Sequence, residues 1–235
     1  MPTLAVFGAG PALGLSTASR FARDGYRIEL VGRTRATLDR LGTELARRGA
    51  EVAFTVADLA APAQVREAAI EIQSRSGTPD VTLYSPGDVT RLPVEARSLD
   101  AATLQTWLPL NLLSPIELVH TILPGMRERG SGVLVFAQGS AVRHPIPAVA
   151  SSSVAQAGLL NYIRALSADV KRDGVRLISF QIGQLIDRSA AAQLFDSGHF
   201  DGVDAGQLDR VDPDRLADQL WVLAHDAAAA PEYVS

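Results

Sequence analysis

The 235-residue chain contains no cysteine, which excludes disulfide bonds and thiolate metal sites. No uninterrupted apolar run approaches the length of a membrane span. The N-terminus lacks the basic region, apolar stretch and cleavage site of a secretory signal. The formal net charge is only −4, so nothing points to nucleic acid or to an anionic membrane surface. These absences predict a cytoplasmic protein that binds a small molecule, with no nucleic acid, membrane or metal as its partner.

The chain does contain enough apolar residues for a large core, since they make up 47% of the sequence. Apolar runs bounded by turn residues predict strands at 4–7, 27–31, 52–56, 81–84, 132–137 and 175–180. The segments after them predict helices at 16–23, 34–48, 62–76, 99–129, 149–172 and 213–225. This alternation predicts an α/β fold, a Rossmann-like doubly wound parallel sheet of about seven strands flanked by helices. We expect a single domain over residues 1–235.

Residues 187–212 differ from this pattern because they mix Ala, Asp, Gly and Gln with weak periodicity. We interpret them as a short helical excursion or a mobile lid over the substrate. The final helix is expected to begin near Pro213, with Asp212 as its N-cap. In open parallel sheets ligands bind beyond the carboxyl ends of the strands, so the turns after the strands should carry the functional residues.

The first of these turns is rich in glycine. Gly8, Gly10 and Gly14 stand between the first strand and the first helix, in the spacing Gly-x-Gly-x-x-x-Gly. Glycines let the backbone approach a pyrophosphate, and a helix N-terminus offers free N–H groups and the positive end of a dipole. The turn therefore predicts a dinucleotide site. The alternative is a turn that only packs a helix on a sheet.

Arg33 follows the second strand, where an acidic residue would suit a ribose 2′-hydroxyl and an arginine suits a 2′-phosphate. A guanidinium can meet phosphate oxygens with two parallel hydrogen bonds, and Arg35 can assist. The pattern predicts NADP(H) in preference to NAD(H). The alternative is a pair of ordinary solvated arginines at the start of a helix.

Taken in order, these turns resemble those of the short-chain dehydrogenase/reductase family over residues 2 to about 187, and the resemblance is weaker in 211–234. The three family glycines fall on Gly8, Ala12 and Gly14, and Gly10 is an extra glycine within the turn. The resemblance implies a nicotinamide cofactor held by this turn, including Leu13.

The resemblance also implies cofactor contacts from four residues after later strands. Asp58 and Leu59 follow the third strand, and Asp58 is placed to contact the adenine or, equally, to cap a helix. Gly87 is all that remains of the family's Asn-Asn-Ala-Gly. Gly183 keeps the glycine, but not the proline, of the family's Pro-Gly at the nicotinamide amide.

Asn111 falls where the family keeps an asparagine in a catalytic helix. Pro115, four residues later, has no N–H to bond the carbonyl of residue 111, so this carbonyl is expected to be free at a kink. The resemblance implies that the carbonyl helps to hold a proton-relay water. The alternative is an incidental kink beside a polar residue.

The family's chemistry depends on a serine and on a Tyr-x-x-x-Lys pair, and no Tyr-x-x-x-Lys occurs in this chain. The tyrosine position falls on Ser152, the lysine position on Gln156, and the serine position on Gly139, beside Ser140. A serine hydroxyl is too weak an acid to replace an activated phenol, and Gln156 carries no charge. These residues do not support the usual acid–base mechanism.

Substitute proton donors lie nearby in the sequence. They are His144 in the loop after the fifth strand, Asp88 after the fourth strand, and Tyr84. Each also has an ordinary structural interpretation, as a surface loop residue, a turn residue and a packed strand end. The candidate catalytic set comprises Asn111, Ser140, His144, Ser152 and Gln156.

Three functions are compatible with these residues. The first is an NADP(H)-dependent oxidoreductase that acts on a small metabolite with a rearranged, non-Tyr/Lys site. The second is a non-redox cyclase, isomerase or dehydratase on the same scaffold. The third is a catalytically silent NADP(H)-binding subunit that stabilises a partner, and the fold does not decide among the three.

The resemblance also implies a homodimer or homotetramer, formed through the helices at 99–129 and 149–172. Their apolar residues can equally pack on the sheet, and periodicity does not separate these two kinds of burial.

Overall fold

A computed structural model describes residues 1–198 and 209–235. Residues 199–208, which fall within the predicted excursion, lie outside the described residues. The strands are β1 Thr3–Phe7, β2 Arg27–Gly32, β3 Val52–Val56, β4 Val81–Tyr84, β5 Gly132–Gly139, β6 Val175–Ile182, β7 Leu185–Ile186, β8 Arg210–Val211 and β9 Glu232–Val234. The helices are α1 Leu13–Ala22, α2 Arg35–Arg47, α3 Pro62–Ser76, α4 Ala101–Leu108, α5 Ser114–Arg129, α6 Ala150–Val170, α7 Ala190–Asp196 and α8 Pro213–His225.

Seven strands form one parallel sheet in the order β3-β2-β1-β4-β5-β6-β9. The chain enters in the middle and winds outward first to one edge and then to the other, so the order reverses between β1 and β4. This confirms the predicted Rossmann-like fold. The edge strand β9 supplies the seventh strand, and no pattern in the sequence located it.

The central strands are apolar because helices cover both faces of the sheet. In β1, Ala5 and Phe7 belong to one buried cluster, and Leu4 and Val6 belong to the cluster on the opposite face. Val119 and Ile163, from the helices expected at an interface between subunits, pack in the first cluster. Leu113 remains 45% exposed. The oligomeric state therefore stays a prediction.

Several helix bounds agree with the sequence patterns. Helix α3 has the predicted ends, and α8 begins at Pro213 with Asp212 accepting a hydrogen bond from the backbone of Asp214. Helix α1 begins at Leu13, three residues earlier than predicted. The glycine-rich turn is correspondingly shorter, so the first helical N–H groups lie next to it.

The region 99–129 is helical from Ala101 to Arg129, as predicted, but its middle turn at Pro109–Leu113 is π-helical and separates α4 from α5. In this turn the N–H of Ser114 bonds to the carbonyl of Pro109, five residues earlier. This register places Pro115 opposite Leu110, one residue before the position expected from α-helical spacing. An interruption of the α-helical register beside Pro115 is present, but it involves the carbonyl of Leu110 and not the expected carbonyl of Asn111, which lies within the widened turn. Such turns are frequent at functional sites.

The described part of the predicted excursion contains α7 and β8, and β8 pairs in parallel with β7, which lies just before the excursion. Ion pairs hold its ends: Arg188 reaches Asp212 and Asp214 at 2.8 and 3.0 Å, and Arg210 reaches Asp187 and Asp196 at 3.2 and 2.5 Å. The short helix agrees with the prediction. Its role as a substrate lid stays a prediction.

Candidate functional site

A cleft of about 670 Å³ opens at the carboxyl ends of the central strands, beside the switch point between β1 and β4. Its volume is typical of small-molecule and cofactor sites, which span roughly 300–1,000 Å³. Nine of the ten residues predicted to bind the cofactor line it: Gly8, Gly10, Ala12, Leu13, Gly14, Arg33, Asp58, Leu59 and Gly87. Gly183 does not line the cleft.

The floor of the cleft is the glycine-rich turn. Gly8 has a φ of +99°, and a Cβ atom there would lie 2.6 Å from the backbone nitrogen of Pro86. The turn therefore requires glycine at this position for both conformation and space. The N–H groups of Gly8 and Ala9 both donate to the carbonyl of Val31 at 2.9 Å, which ties the turn to β2.

The turn leads into a helix end that is free to bind an anion. Helix α1 has no acidic residue in its first turn and no side-chain cap at Ala12. A Cβ atom on Gly14 would lie 3.1 Å from the Cα of Ala9, so the helix packs closely on the turn. The N–H of Leu15 already donates to the carbonyl of Gly10 at 2.9 Å, so the N–H groups of Leu13 and Gly14 and the positive dipole end are the parts that fit a pyrophosphate.

The end of the cleft at Arg33, Asp58 and Asp88 carries the charged groups. Arg33 is 55% exposed, and its Nη2 lies 3.8 Å from Oδ1 of Asp88, whose side chain is 14% exposed. The exposed side chain of Asp58 accepts a hydrogen bond from the N–H of Ala60 at 2.9 Å, within the loop before α3. The N-cap of α3 is Ala61, so the expected capping role of Asp58 is wrong, whereas its place in the cleft is present.

The pKa of Asp88 lies below its usual value. Burial alone would raise this pKa, but hydrogen bonds from Thr90 and the charges of Arg33 and Arg91 outweigh burial and lower it. Asp88 is therefore a carboxylate at neutral pH. This protonation state makes it a poor general acid, so the prediction of Asp88 as a substitute proton donor is not supported.

The inner end of the cleft holds a chain of hydrogen-bonded amides. The N–H of Gly139 donates to Oε1 of Gln156 at 3.0 Å, and Nε2 of Gln156 donates to Oδ1 of Asn111 at 3.1 Å. Nδ2 of Asn111 donates to the carbonyl of Trp107 at 3.0 Å. Because one end of the chain is an N–H and the other is a carbonyl, the orientation of both amides is determined.

A second set of buried polar groups supports Gln156 from the sheet. Nε2 of Gln138 donates to the backbone carbonyl of Gln156, and Oε1 of Gln138 accepts from the hydroxyl of Ser179, both at 2.7 Å. Gln138 is 3% exposed and Ser179 is fully buried. Gln138 was not among the predicted site residues. The signal that could have identified it is a polar glutamine near the end of an otherwise apolar strand, β5.

Four of the predicted catalytic residues lie outside the cleft lining: Asn111, which reaches it only through Gln156, and Ser140, His144 and Ser152. The hydroxyl of Ser152 donates to the carbonyl of Val149 at 3.0 Å, inside its own helix. Ser140 lies against Gly183, since a Cβ on that glycine would be 3.2 Å from its Oγ. His144 is exposed, and its backbone N–H bonds to the carbonyl of Ser140 at 3.2 Å.

Gln156 is the one member of the predicted catalytic set that lines the described cleft. The chain's only lysine, Lys171, lies beyond the end of α6. The structure therefore brings Gln156 and Asn111 together and leaves Ser140, His144 and Ser152 apart from the cleft.

Tyr84 is a structural residue. It is 3% exposed, and its hydroxyl donates to the carbonyl of Leu110 at 2.6 Å. That carbonyl stands opposite Pro115 in the π-helical turn and has no helical N–H to accept. Burial raises the pKa of Tyr84 well above its usual value. The interpretation of Tyr84 as a proton donor is therefore wrong.

The substitution Tyr84→Phe is expected to lower the free energy of unfolding by about 1–2 kcal/mol, because it leaves a buried carbonyl without a partner. Nucleotide binding should not change. Urea denaturation and thermal shift with NADPH measure the two effects. Tyr162→Phe is the control, since Tyr162 is a half-buried residue packed against the same core. An equal loss of stability in both variants would contradict the role of the Tyr84 hydroxyl.

Two further properties bear on the kind of site. In residues 1–198 and 209–235, no group of three or more His, Asp or Glu side chains is placed to hold a metal ion. None of the helices in these ranges is long and apolar enough to cross a membrane.

Residues 2–193 match the sequence profile of a family described as short chain dehydrogenase. The chain is 27% identical to (2S)-[(R)-hydroxy(phenyl)methyl]succinyl-CoA dehydrogenase subunit BbsC of Thauera aromatica, over 80% of this chain and 74% of that protein. It is 33% identical to galactitol 2-dehydrogenase (L-tagatose-forming) of Cereibacter sphaeroides, over 74% of this chain and 67% of that protein.

The fold is similar to that of solved structures with bound NADPH. L-Sorbose reductase from Gluconobacter frateurii, complexed with NADPH and L-sorbose, has a TM-score of 0.86 at 21% identity, covering 100% of this chain and 95% of that chain. An NADPH-bound short chain oxidoreductase from Pseudomonas aeruginosa PAO1, containing an atypical catalytic center, has a TM-score of 0.82 at 22% identity, covering 99% and 94%.

Proposed function

Because the chain belongs to the short chain dehydrogenase family, we propose that it binds NADP(H) in the cleft and acts as an oxidoreductase on a small metabolite. The reacting group is a carbonyl or the corresponding alcohol. The proposal depends on one observation: the glycine-rich turn at Gly8 and the hydrogen-bonded amide of Gln156 line the same cleft. The NADPH-bound structures of similar fold support the choice of cofactor.

The residues of the cleft are suited to each part of the cofactor. The glycine-rich turn and the N-terminus of α1 would hold the pyrophosphate, and Arg33 would hold the 2′-phosphate. The amide of Gln156 would bond a hydroxyl of the nicotinamide ribose. When bound, the nicotinamide supplies or accepts the hydride.

The amide chain positions groups but does not move protons. Nε2 of Gln156 carries two hydrogens, and one of them is donated to Asn111. The second can donate to an oxygen that becomes negative during carbonyl reduction. Such donors are worth roughly 10²–10³ in rate, whereas a missing general acid costs about 10²–10⁴. The proton must therefore come from water, and we expect a slow enzyme.

The proposal is tested with NADPH deuterated at C4 and small carbonyl compounds, beginning with ketohexoses such as L-sorbose. Mass spectrometry of the alcohol product measures deuterium transfer. Deuterium in the product, lost in a variant that does not bind NADPH, would establish the reaction. Release of product without any change at the nicotinamide would instead indicate a non-redox enzyme.

The pH dependence of the reaction provides a separate prediction. Among the described residues that line the cleft there is no histidine, cysteine, lysine or tyrosine, so none belongs to the types that titrate between pH 6.5 and 9. We therefore expect kcat to vary by less than about threefold over this range. A kinetic pKa between 6 and 8 would contradict this and would indicate a titrating donor such as His144.

One observation favours a second function, a catalytically silent NADP(H)-binding subunit. The amide chain contains no group that gives up a proton, and one relative is named as a subunit of a dehydrogenase. This function predicts tight NADPH binding without turnover. It also predicts that co-expression with an active dehydrogenase chain yields a mixed oligomer, which light scattering would detect alongside the homodimer or homotetramer expected of the chain alone.

A further inference from the structure

Asp88 and Arg33 face each other at the charged end of the cleft, although they follow different strands. Both line the cleft, and their charged atoms are 3.8 Å apart. Asp88 is the one carboxylate within ion-pair distance of Arg33 in the described ranges 1–198 and 209–235. The guanidinium suited to a phosphate thus already has an anionic partner.

The position of Asp88 is set by its own loop. Oδ1 of Asp88 accepts from the N–H of Thr90 at 3.0 Å and from its hydroxyl at 2.5 Å. Oδ2 of Asp88 lies 3.5 Å from Nε of Arg91. Nη1 of the same arginine donates to the carbonyl of Thr106. These contacts would hold the carboxylate in place when a ligand enters. Arg33 is the mobile member of the pair because it is more than half exposed.

We propose that Asp88 is a specificity-determining residue that weakens the binding of nucleotides with a 2′-phosphate, by competing for Arg33 and by repelling the phosphate. This inference rests on the proposed function, since it takes the cleft to be the site of an adenine dinucleotide. Asp88 would make NADP(H) easier to release. It would also reduce the ratio by which the chain binds NADP(H) more tightly than NAD(H). Arg33 would exchange one anionic partner for another on binding.

The magnitude follows from the charges involved. A carboxylate and a phosphate a few ångströms apart at a partly solvated site repel each other, and salt weakens the repulsion. Removing the negative charge of Asp88 should therefore tighten the binding of a 2′-phosphate by about 3- to 10-fold at low ionic strength. The gain should shrink in high salt.

The test compares the wild-type chain with Asp88→Asn by isothermal titration calorimetry. Asparagine keeps the oxygen that accepts from Thr90 and removes only the charge. The probes are adenosine 2′,5′-bisphosphate, which carries the 2′-phosphate, and AMP, which lacks it. Glu44→Gln is the matched control, because it makes the same change in net charge at a residue paired with Arg48, away from the cleft lining.

We expect D88N to bind adenosine 2′,5′-bisphosphate more tightly and to bind AMP unchanged. In the Arg33→Ala background D88N should still tighten bisphosphate binding, because the repulsion between Asp88 and the phosphate remains there to be removed. Weaker AMP binding with unchanged bisphosphate binding would overturn the inference, since Asp88 would then be an acceptor for a ribose hydroxyl. Unchanged binding of both would also overturn it. Thermal denaturation verifies that each variant folds. If the wild-type chain binds neither probe, the proposed function itself fails.

Discussion

Replacing Gly8 with alanine is expected to lower the free energy of unfolding by about 2–4 kcal/mol and to abolish measurable NADPH binding. The φ of +99° disfavours any L-residue, and the new Cβ would lie 2.6 Å from the backbone of Pro86. The atoms that this Cβ would meet belong to the backbone of the turn after β4, so they cannot move unless the turn itself is displaced. The glycine-rich turn and the turn after β4 would therefore have to move apart.

Gly10→Ala is the matched control for this prediction. The nearest atom to a Cβ at Gly10 is the carbonyl oxygen of Gly8, 4.0 Å away, so the added methyl fits. For a chain of this size, the loss at Gly8 corresponds to a fall in Tm of roughly 5–15 °C. Calorimetry measures both variants. Equal stability of G8A and G10A would show that the backbone at Gly8 is not constrained as the structure has it.

Arg33→Ala is expected to weaken NADPH binding by about 10- to 100-fold and to leave NADH binding unchanged. Removing the guanidinium removes charge-assisted hydrogen bonds to the 2′-phosphate, which NADH lacks. It also leaves Asp88 without its partner at 3.8 Å, so the carboxylate repels the phosphate more strongly. Fluorescence titration with each reduced cofactor measures the two dissociation constants.

Arg35→Ala serves as the control, because it removes the same side chain two residues later. Arg35 is 73% exposed and pairs with Asp39 on its own helix, outside the cleft lining. We expect less than about a threefold change for either cofactor. If R33A and R35A weaken NADPH binding equally, the phosphate is held by the basic helix start as a whole and not by Arg33.

The two parts of the cleft have different consequences for function. The cradle at Gly8 and the guanidinium of Arg33 are the parts that a dinucleotide requires. At the inner end, amides stand where the family pattern has a tyrosine and a lysine nearby. Gln156 is hydrogen-bonded there to Gly139 and to Asn111. Amides preserve geometry without supplying a proton. We therefore expect the chain to bind and orient a cofactor, and we expect any turnover to depend on water for the proton.

Much of the fold could be predicted from the sequence by itself. Apolar runs bounded by turn residues placed six strands of the sheet, and Pro62 and Asp212 marked helix starts that the structure confirms. The glycine-rich turn and the absence of a Tyr-x-x-x-Lys pair are equally local properties. Local patterns suffice for these features because apolar runs, turn residues and helix-start residues such as Pro62 and Asp212 are properties of short stretches of sequence.

Only the tertiary structure decided which polar side chains meet. Gln156 contacts Asn111 from 45 residues away, and the Tyr84 hydroxyl finds a carbonyl 26 residues on, at a π-helical turn that no spacing rule indicated. Strand β9 is three residues long and joins the sheet through its pairing with β6. Such contacts depend on how strands and helices are packed, because a hydrogen bond between distant residues forms only where the fold brings its donor and acceptor within about 3 Å.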